Sequence, residues 1–380
     1  MFGSLDLSQL QELWWGIISL LGGLFLFLTF VQGGQTLLMF GPVAENENER
    51  ILVINSLGRK WELTFTTLVL LGGALFAAFP KFYATSFGGA YWVWVAILFT
   101  FILQAVSYEF RRKPGNLLGT RVYDFFLFIN GSLGLLLIGA AIGTFFTGAN
   151  FSLNAYNQVT WHHPLRGLEA AFDPFNVAMG LMLVFLARIL GAMYLSNNIK
   201  VHNIHANCCM AAYKNMLLMM PCVFYIMYQL VTMQGFALSP ETGLIWQQNY
   251  KYVYNLNHPM STTIMFTGGF LLILWAVLIA RYYGSRNSIW YAGIGTVMMG
   301  FHLFFIAGTN NTSFYPSKIN MQDSLTIYNA SSSHYTLTAM SYVALAVPLV
   351  LAYIIYVWRA MDAVQLSEDD LKDADLKKFY

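Results

Sequence analysis

"GRKWELTFTTLVLLGGALFAAFP", residues 58–80, passes from two cations into an almost unbroken apolar run and ends at a proline. About 20 such residues cross the roughly 30 Å hydrocarbon layer of a bilayer as a helix. The stretch therefore reads as a membrane span, and it carries a carboxylate, Glu62, just inside its basic end. An ionised group at mid-span costs roughly 2.5–3.5 kcal/mol on insertion scales, less near an end. Two readings fit Glu62: an interfacial ion pair with Lys60, or a proton-relay acid whose pKa burial lifts towards neutrality. Thr66, four residues on, shares its helical face and would extend a hydrogen-bonded path.

The rest of the chain agrees with a membrane setting. Of its 380 residues 57% are hydrophobic and 10% charged, against about 25% charged in soluble domains. A net charge of +2 gives no basic face for nucleic acid. The opening "MFGSLDLSQLQE" holds no Lys or Arg, where a secretory signal needs a basic lead, so the first apolar run is expected to remain as an anchor. Cys208, Cys209 and Cys222 have neither zinc nor disulfide spacing and read as reduced packing residues.

Apolar runs near 13–33, 62–80, 90–109, 122–147, 175–196, 211–234, 261–281, 288–308 and 339–358 predict an all-α, polytopic bundle of nine spans in one domain over 1–380. Longer connectors fall near 148–174, 235–260 and 309–338. Of the 20 Lys and Arg, Arg188 lies within a span. Only Lys81, Arg166, Lys251 and Lys318 share the side of the long connectors, and all others share the opposite side. That asymmetry places the basic side in the cytoplasm, with the N-terminus outside and the tail "LSEDDLKDADLKKFY" inside. Small residues four apart, Gly73 with Ala77 and Ala74 with Ala78, suit close approach of a neighbouring backbone.

Other polar groups also call for partners. Gln32 and Gln35 in "TFVQGGQTL" are three apart on one face, fit to bond a neighbouring helix or line a hydrated cavity. Arg188 in "MLVFLARILGAMYL" is deep for a snorkelling side chain; a buried ion pair, an interface, an anionic lipid and a cofactor propionate are its open readings. Glu109 in "LQAVSYEFRRK" reads as an interfacial pair with Arg111 or Arg112. Six histidines, His162, His163, His202, His205, His258 and His334, fall in loops or near span ends. Only His302 lies within a span, and a haem needs ligands from facing helices, so a hydrogen-bonded core role is expected for it. No motif of a soluble active site is present.

Two blocks carry a family resemblance. "NERILVINSLGRKWELTFTTLVLLGGALFAAFPKFYATSFGGAYWVWVAILF" resembles the second span and following connector of subunit II of cytochrome bd-type quinol oxidases. "FYPSKINMQDSLTIYNASSSHYTLTAMSYV" resembles that family's last outer loop. The resemblance implies a two-subunit terminal oxidase of the bacterial cytoplasmic (inner) membrane that oxidises quinol and reduces O2 to water. Haems b and d and the quinol-oxidation loop are then expected in the partner, subunit I. This chain would bind no haem, pair with subunit I in the lipid bilayer, and help supply cytoplasmic protons; a small accessory subunit is left open. Better-known members carry Asp-Gly-Phe-Asp where this chain has "VQGGQ", so Gln32 and Gln35 replace two acids. They carry Asp-Gly-Asn-Gln where it has "ELTF", so the acid persists as Glu62, and a further Asp becomes Glu109. The expected proton path is thus Glu62, Thr66, Gln32 and Gln35. The competing reading is a stand-alone secondary transporter, against which stands the lack of broken helices in matched halves.

Overall fold

Nine helices among the described residues are long and apolar enough to cross a membrane. The computed structural model describes residues 2–113, 115–257 and 260–367; His258 and most of the C-terminal tail, with Lys372, Lys377 and Lys378, lie outside them. The helices are α1 (Leu7–Thr36), α2 (Glu47–Ala78), α3 (Tyr91–Phe110), α4 (Thr120–Thr147) and α5 (Pro174–Asn198), followed by α6 (His202–Thr232), α7 (Thr263–Tyr283), α8 (Ser288–Gly308) and α9 (His334–Met361). Each expected span coincides with one of them, overrunning a helix end by two residues at most. Two helices start well before their apolar runs: α2 at Glu47 rather than 62, and α6 at His202 rather than 211. Asn46 explains the first, because its side chain accepts from the Glu49 N–H and starts a helix in the polar layer. Hydropathy reads only the apolar part of such a helix.

Two irregularities re-aim polar side chains. In α1 the regular helix stops at Leu28 and resumes at Phe30; the intervening Thr29 hydroxyl donates to the Leu26 carbonyl at 2.6 Å, a back-bond that bends helices. The segment after the break carries Gln32 and Gln35. In α4 a π-turn spans Asn130–Gly134, a feature common where a helix serves a site.

Backbones meet at glycine. A Cβ on Gly33 would lie 1.8 Å from the Ala187 carbonyl oxygen, one on Gly139 2.5 Å from Gly180 Cα, and one on Gly300 2.8 Å from Gly23 Cα. A Cβ on Gly269 would lie 2.6 Å from the Gly295 oxygen. These contacts join α1 to α5, α4 to α5, α8 to α1 and α7 to α8, as expected where lipid offers no hydrophobic drive and close packing must hold helices together. Helices α1–α4 and α5–α8 form two halves that meet through α1 with both α5 and α8 and through α4 with α5. Along α5, 78% of its most apolar stretch is buried; along α9 only 6% is. Gly73 differs from the expected small-residue contact, since none of the described residues comes within 4 Å of its Cβ position and it faces outward.

The three long connectors form hairpins that interlock at one end of the bundle. β1 (Phe151–Leu153) pairs with β2 (Val159–Trp161), β3 (Gly235–Leu238) with β4 (Ile245–Gln248), and β5 (Ser313–Tyr315) with β6 (Leu325–Thr326), all antiparallel. Bridges from Ala149 to Ser317 and from Ala237 to Thr312 tie them together. At the opposite end Ile199 bridges Leu366, and the Lys60 ammonium meets Asp362 at 2.9 Å.

Candidate functional site

The break at Thr29 turns both glutamines of α1 inward. Gln32 and Gln35 are 0% exposed and face α3, where Gln104 and Tyr108, four apart, form one polar edge. Gln32 Nε2 donates to Gln104 Oε1 at 3.4 Å, and Gln35 Nε2 donates to the Tyr108 hydroxyl at 3.1 Å. Asn130, in the π-turn of α4, reaches the same region and donates to Thr100 Oγ1 at 3.4 Å. Four buried atoms here, Gln32 Oε1, Gln35 Oε1, Gln104 Nε2 and Asn130 Oδ1, have no partner among the described residues. Native interiors rarely leave such atoms unmet, and their usual complement is ordered water. Gln104 and Tyr108 escaped the sequence reading, although Thr100, Gln104 and Tyr108 make a visible polar stripe of period four.

Arg188 adjoins this cluster from α5. It is 4% exposed; its guanidinium donates to Asn215 Oδ1 at 2.7 Å, Thr36 Oγ1 at 2.5 Å and the Phe40 carbonyl at 2.7 Å, and it sits 5.2 Å over the Phe40 ring. The open readings thus narrow: the charge is held by neutral acceptors of its own chain, buried and with no ion pair among the described residues.

Glu62 is not part of the inward cluster. Its helix turns Thr64 and Leu68 inward, with the Thr64 hydroxyl on the Leu28 carbonyl at 2.6 Å, and turns Glu62 and Thr66 outward, both exposed. Thr66 donates to the Glu62 backbone carbonyl at 2.9 Å, so its hydroxyl back-bonds rather than reaching onward. The expected pair between Glu62 and Lys60 does not form, because Lys60 is 2% exposed and turns inward to Asp362, while Glu62 points out. Between the two groups stands one aromatic contact, Trp61 stacked on Tyr108 with centroids 6.0 Å apart.

Glu109 differs from expectation too. It pairs with Lys113 one turn on, both exposed, because Arg111 is drawn inward: its Nε meets Asp124 Oδ1 at 2.8 Å and its second nitrogen meets Glu47 at 3.3 Å. Desolvation, with Arg111 alongside, lowers the pKa of Arg112. His302 is 1% exposed, with its ring 5.2 Å from that of Phe266. Among the described residues no group of three or more His, Cys, Asp or Glu converges as a metal site.

A family model for cytochrome bd terminal oxidase subunit II matches residues 10–361. The chain belongs to that family. Similar to this subunit II chain are the cytochrome bd-I ubiquinol oxidase subunit 2 of Escherichia coli, 27% identical over 379 residues with 96% of this chain and 97% of the relative covered, and the cytochrome bd ubiquinol oxidase subunit 2 of Bacillus subtilis, 24% identical with 89% and 91% covered. The fold matches a chain of the bd oxidase from Geobacillus thermodenitrificans with a TM-score of 0.63 at 17% identity, covering 93% of this chain and 98% of that one. Family membership removes the transporter reading, and the outward carboxylate now sits on a subunit of a larger oxidase.

Proposed function

We propose that this subunit II docks the α2 face carrying Glu62 against a haem-bearing subunit I and delivers cytoplasmic protons there for the reduction of O2 to water. The observation that carries the reading is the outward Glu62 itself. Glu62, Thr66, Val69, Leu70, Gly73 and Phe76 lie on one exposed face of α2, the apolar members 54–59% exposed. Against lipid the carboxylate would cost roughly 2.5–3.5 kcal/mol at depth, whereas a protein partner with trapped water relieves that cost.

Each O2 takes four electrons and four protons to give two waters, and two quinols supply the electrons. The names of the relatives support a quinol as reductant. Haems b and d belong to the partner and supply the electron transfer and oxygen chemistry; this chain supplies the scaffold and the acid. Glu62 exchanges protons between the basic, cytoplasmic side and the partner. The amides of Gln32, Gln35 and Gln104 have no ionisable proton, and with Tyr108 they serve as an internal polar core holding water. The orientation follows from the cation asymmetry, with the hairpins outside and the Lys60–Asp362 end inside, in a bacterial cytoplasmic membrane.

The test is a gentle detergent pull-down of the tagged chain from its native membrane, followed by a reduced-minus-oxidised spectrum. Co-purification of a haem-bearing partner with b- and d-type bands and quinol-dependent oxygen uptake is expected. A colourless chain that purifies alone would refute the reading.

A further inference from the structure

On the side of the hairpins, the first turn of α3, the last turns of α4 and the chain leading to α5 enclose a cavity of about 330 Å³, the size of a small-molecule site. Two indoles line it, Trp94 and Trp161. Both are fixed from behind: Trp94 stacks on Phe87 with centroids 4.0 Å apart, and Trp161 Nε1 donates to the Thr85 carbonyl at 3.2 Å. Glu169 lies within, its side chain 16% exposed, held by the Gly167 N–H at 2.7 Å and by His163 at 3.5 Å. The Tyr315 phenol also lines the cavity, and burial raises its pKa, so it stays a neutral hydroxyl. At the rim Asp173 and Lys318 stand 3.9 Å apart, beside Phe172, which is 74% exposed.

Three features define what this cavity suits. Its lining holds two carboxylates against one lysine, so its charge favours a cation. Its walls are indoles, the best faces for an organic ammonium. Its height is the edge of the apolar layer, because Tyr91 and Pro174 begin spans and Thr147 ends one, with Tyr91 and Trp92 exposed nearby as in an interfacial aromatic belt. We propose that the cavity is a binding site for the headgroup of an ammonium-bearing phospholipid of the phosphatidylethanolamine class. The ammonium lies between the indoles towards Glu169, the phosphate meets Lys318 at the rim, and the acyl chains leave past Phe172 into the bilayer. Nothing in this assignment depends on Glu62.

The test uses the complex purified with its partner and stripped of lipid, then offered dihexanoyl-phosphatidylethanolamine or dihexanoyl-phosphatidylglycerol while binding is read by native mass spectrometry and thermal shift. The ethanolamine lipid should bind about tenfold more tightly, the worth of one desolvated cation–π contact with its carboxylate. Glu169→Gln, which still accepts from the Gly167 N–H, should bring the two lipids to parity. Lys318→Gln should weaken both. Ala141→Phe fills the cavity from α4 and should abolish retention, which keeps the test decisive if Glu169→Gln does not accumulate. Equal binding of the two lipids by the unaltered complex, or an unchanged preference in Glu169→Gln, would overturn the assignment. So would displacement of both lipids by a neutral quinone, or binding of soluble glycerophosphoethanolamine as tight as that of the lipid.

Discussion

Arg188 and Glu62 are both charges in membrane helices, and the fold treats them in opposite ways. Arg188 spends its donors on three neutral acceptors inside the chain. A planar fork can reach all three, and a single ammonium cannot. Arg188→Lys should therefore destabilise the subunit by about 1–3 kcal/mol, the cost of buried acceptors left unmet, seen as a lower thermal midpoint; an unchanged midpoint would contradict the role. Both charges were legible in the sequence, but their partners were not. Lys60 stands two residues from Glu62 yet pairs with Asp362, 302 positions away, and no local spacing reveals such a contact. Likewise Arg111 takes Asp124 and leaves Glu109 to Lys113.

Helix existence was legible because long apolar runs have no other solution in lipid. Which face meets what was not. Gly73 and Gly139 are equally plausible packing glycines by spacing, yet one faces outward and the other lies against Gly180. Gly139→Ala should force α4 from α5 and cost about 1–3 kcal/mol, whereas Gly73→Ala should leave the isolated chain's thermal midpoint unchanged. If the α2 face docks subunit I, Gly73→Leu should reduce partner recovery in a pull-down without altering the chain's own helicity. Normal recovery would move the interface elsewhere. The break at Thr29 and the π-turn at Asn130 also stayed hidden, since each depends on hydrogen bonds that composition does not encode.

At the scale of the whole molecule, one end is closed by interlocked hairpins and the other by the basic connectors. The expected grouping of the long connectors on one side matches the bridges joining 149 to 317 and 237 to 312. Lys251 helps close the hairpin end: it is 4% exposed and donates to the Asn310 carbonyl at 2.6 Å, in a turn where Asn310 and Asn311 hold φ of 55° and 53°. Burial lowers its pKa to about 8 from 10.5. The unfolded chain therefore binds more protons between those values, and stability should rise with pH from about 8 to about 10.5. Lys251→Met should remove that rise, read as the thermal midpoint between about pH 7 and pH 10; parallel profiles for the two proteins would contradict it.

The proposed role of the outward carboxylate of α2 joins these scales, because it would operate only in the assembled oxidase. The decisive measurement is quinol-dependent oxygen uptake by the complex carrying Glu62→Gln, with its haem spectrum and subunit ratio recorded on the same sample. Turnover should fall by about tenfold or more, as for loss of a proton-transferring group, with spectrum and assembly intact. Full turnover in that variant would show that Glu62 carries no protons and would leave the subunit a structural role alone.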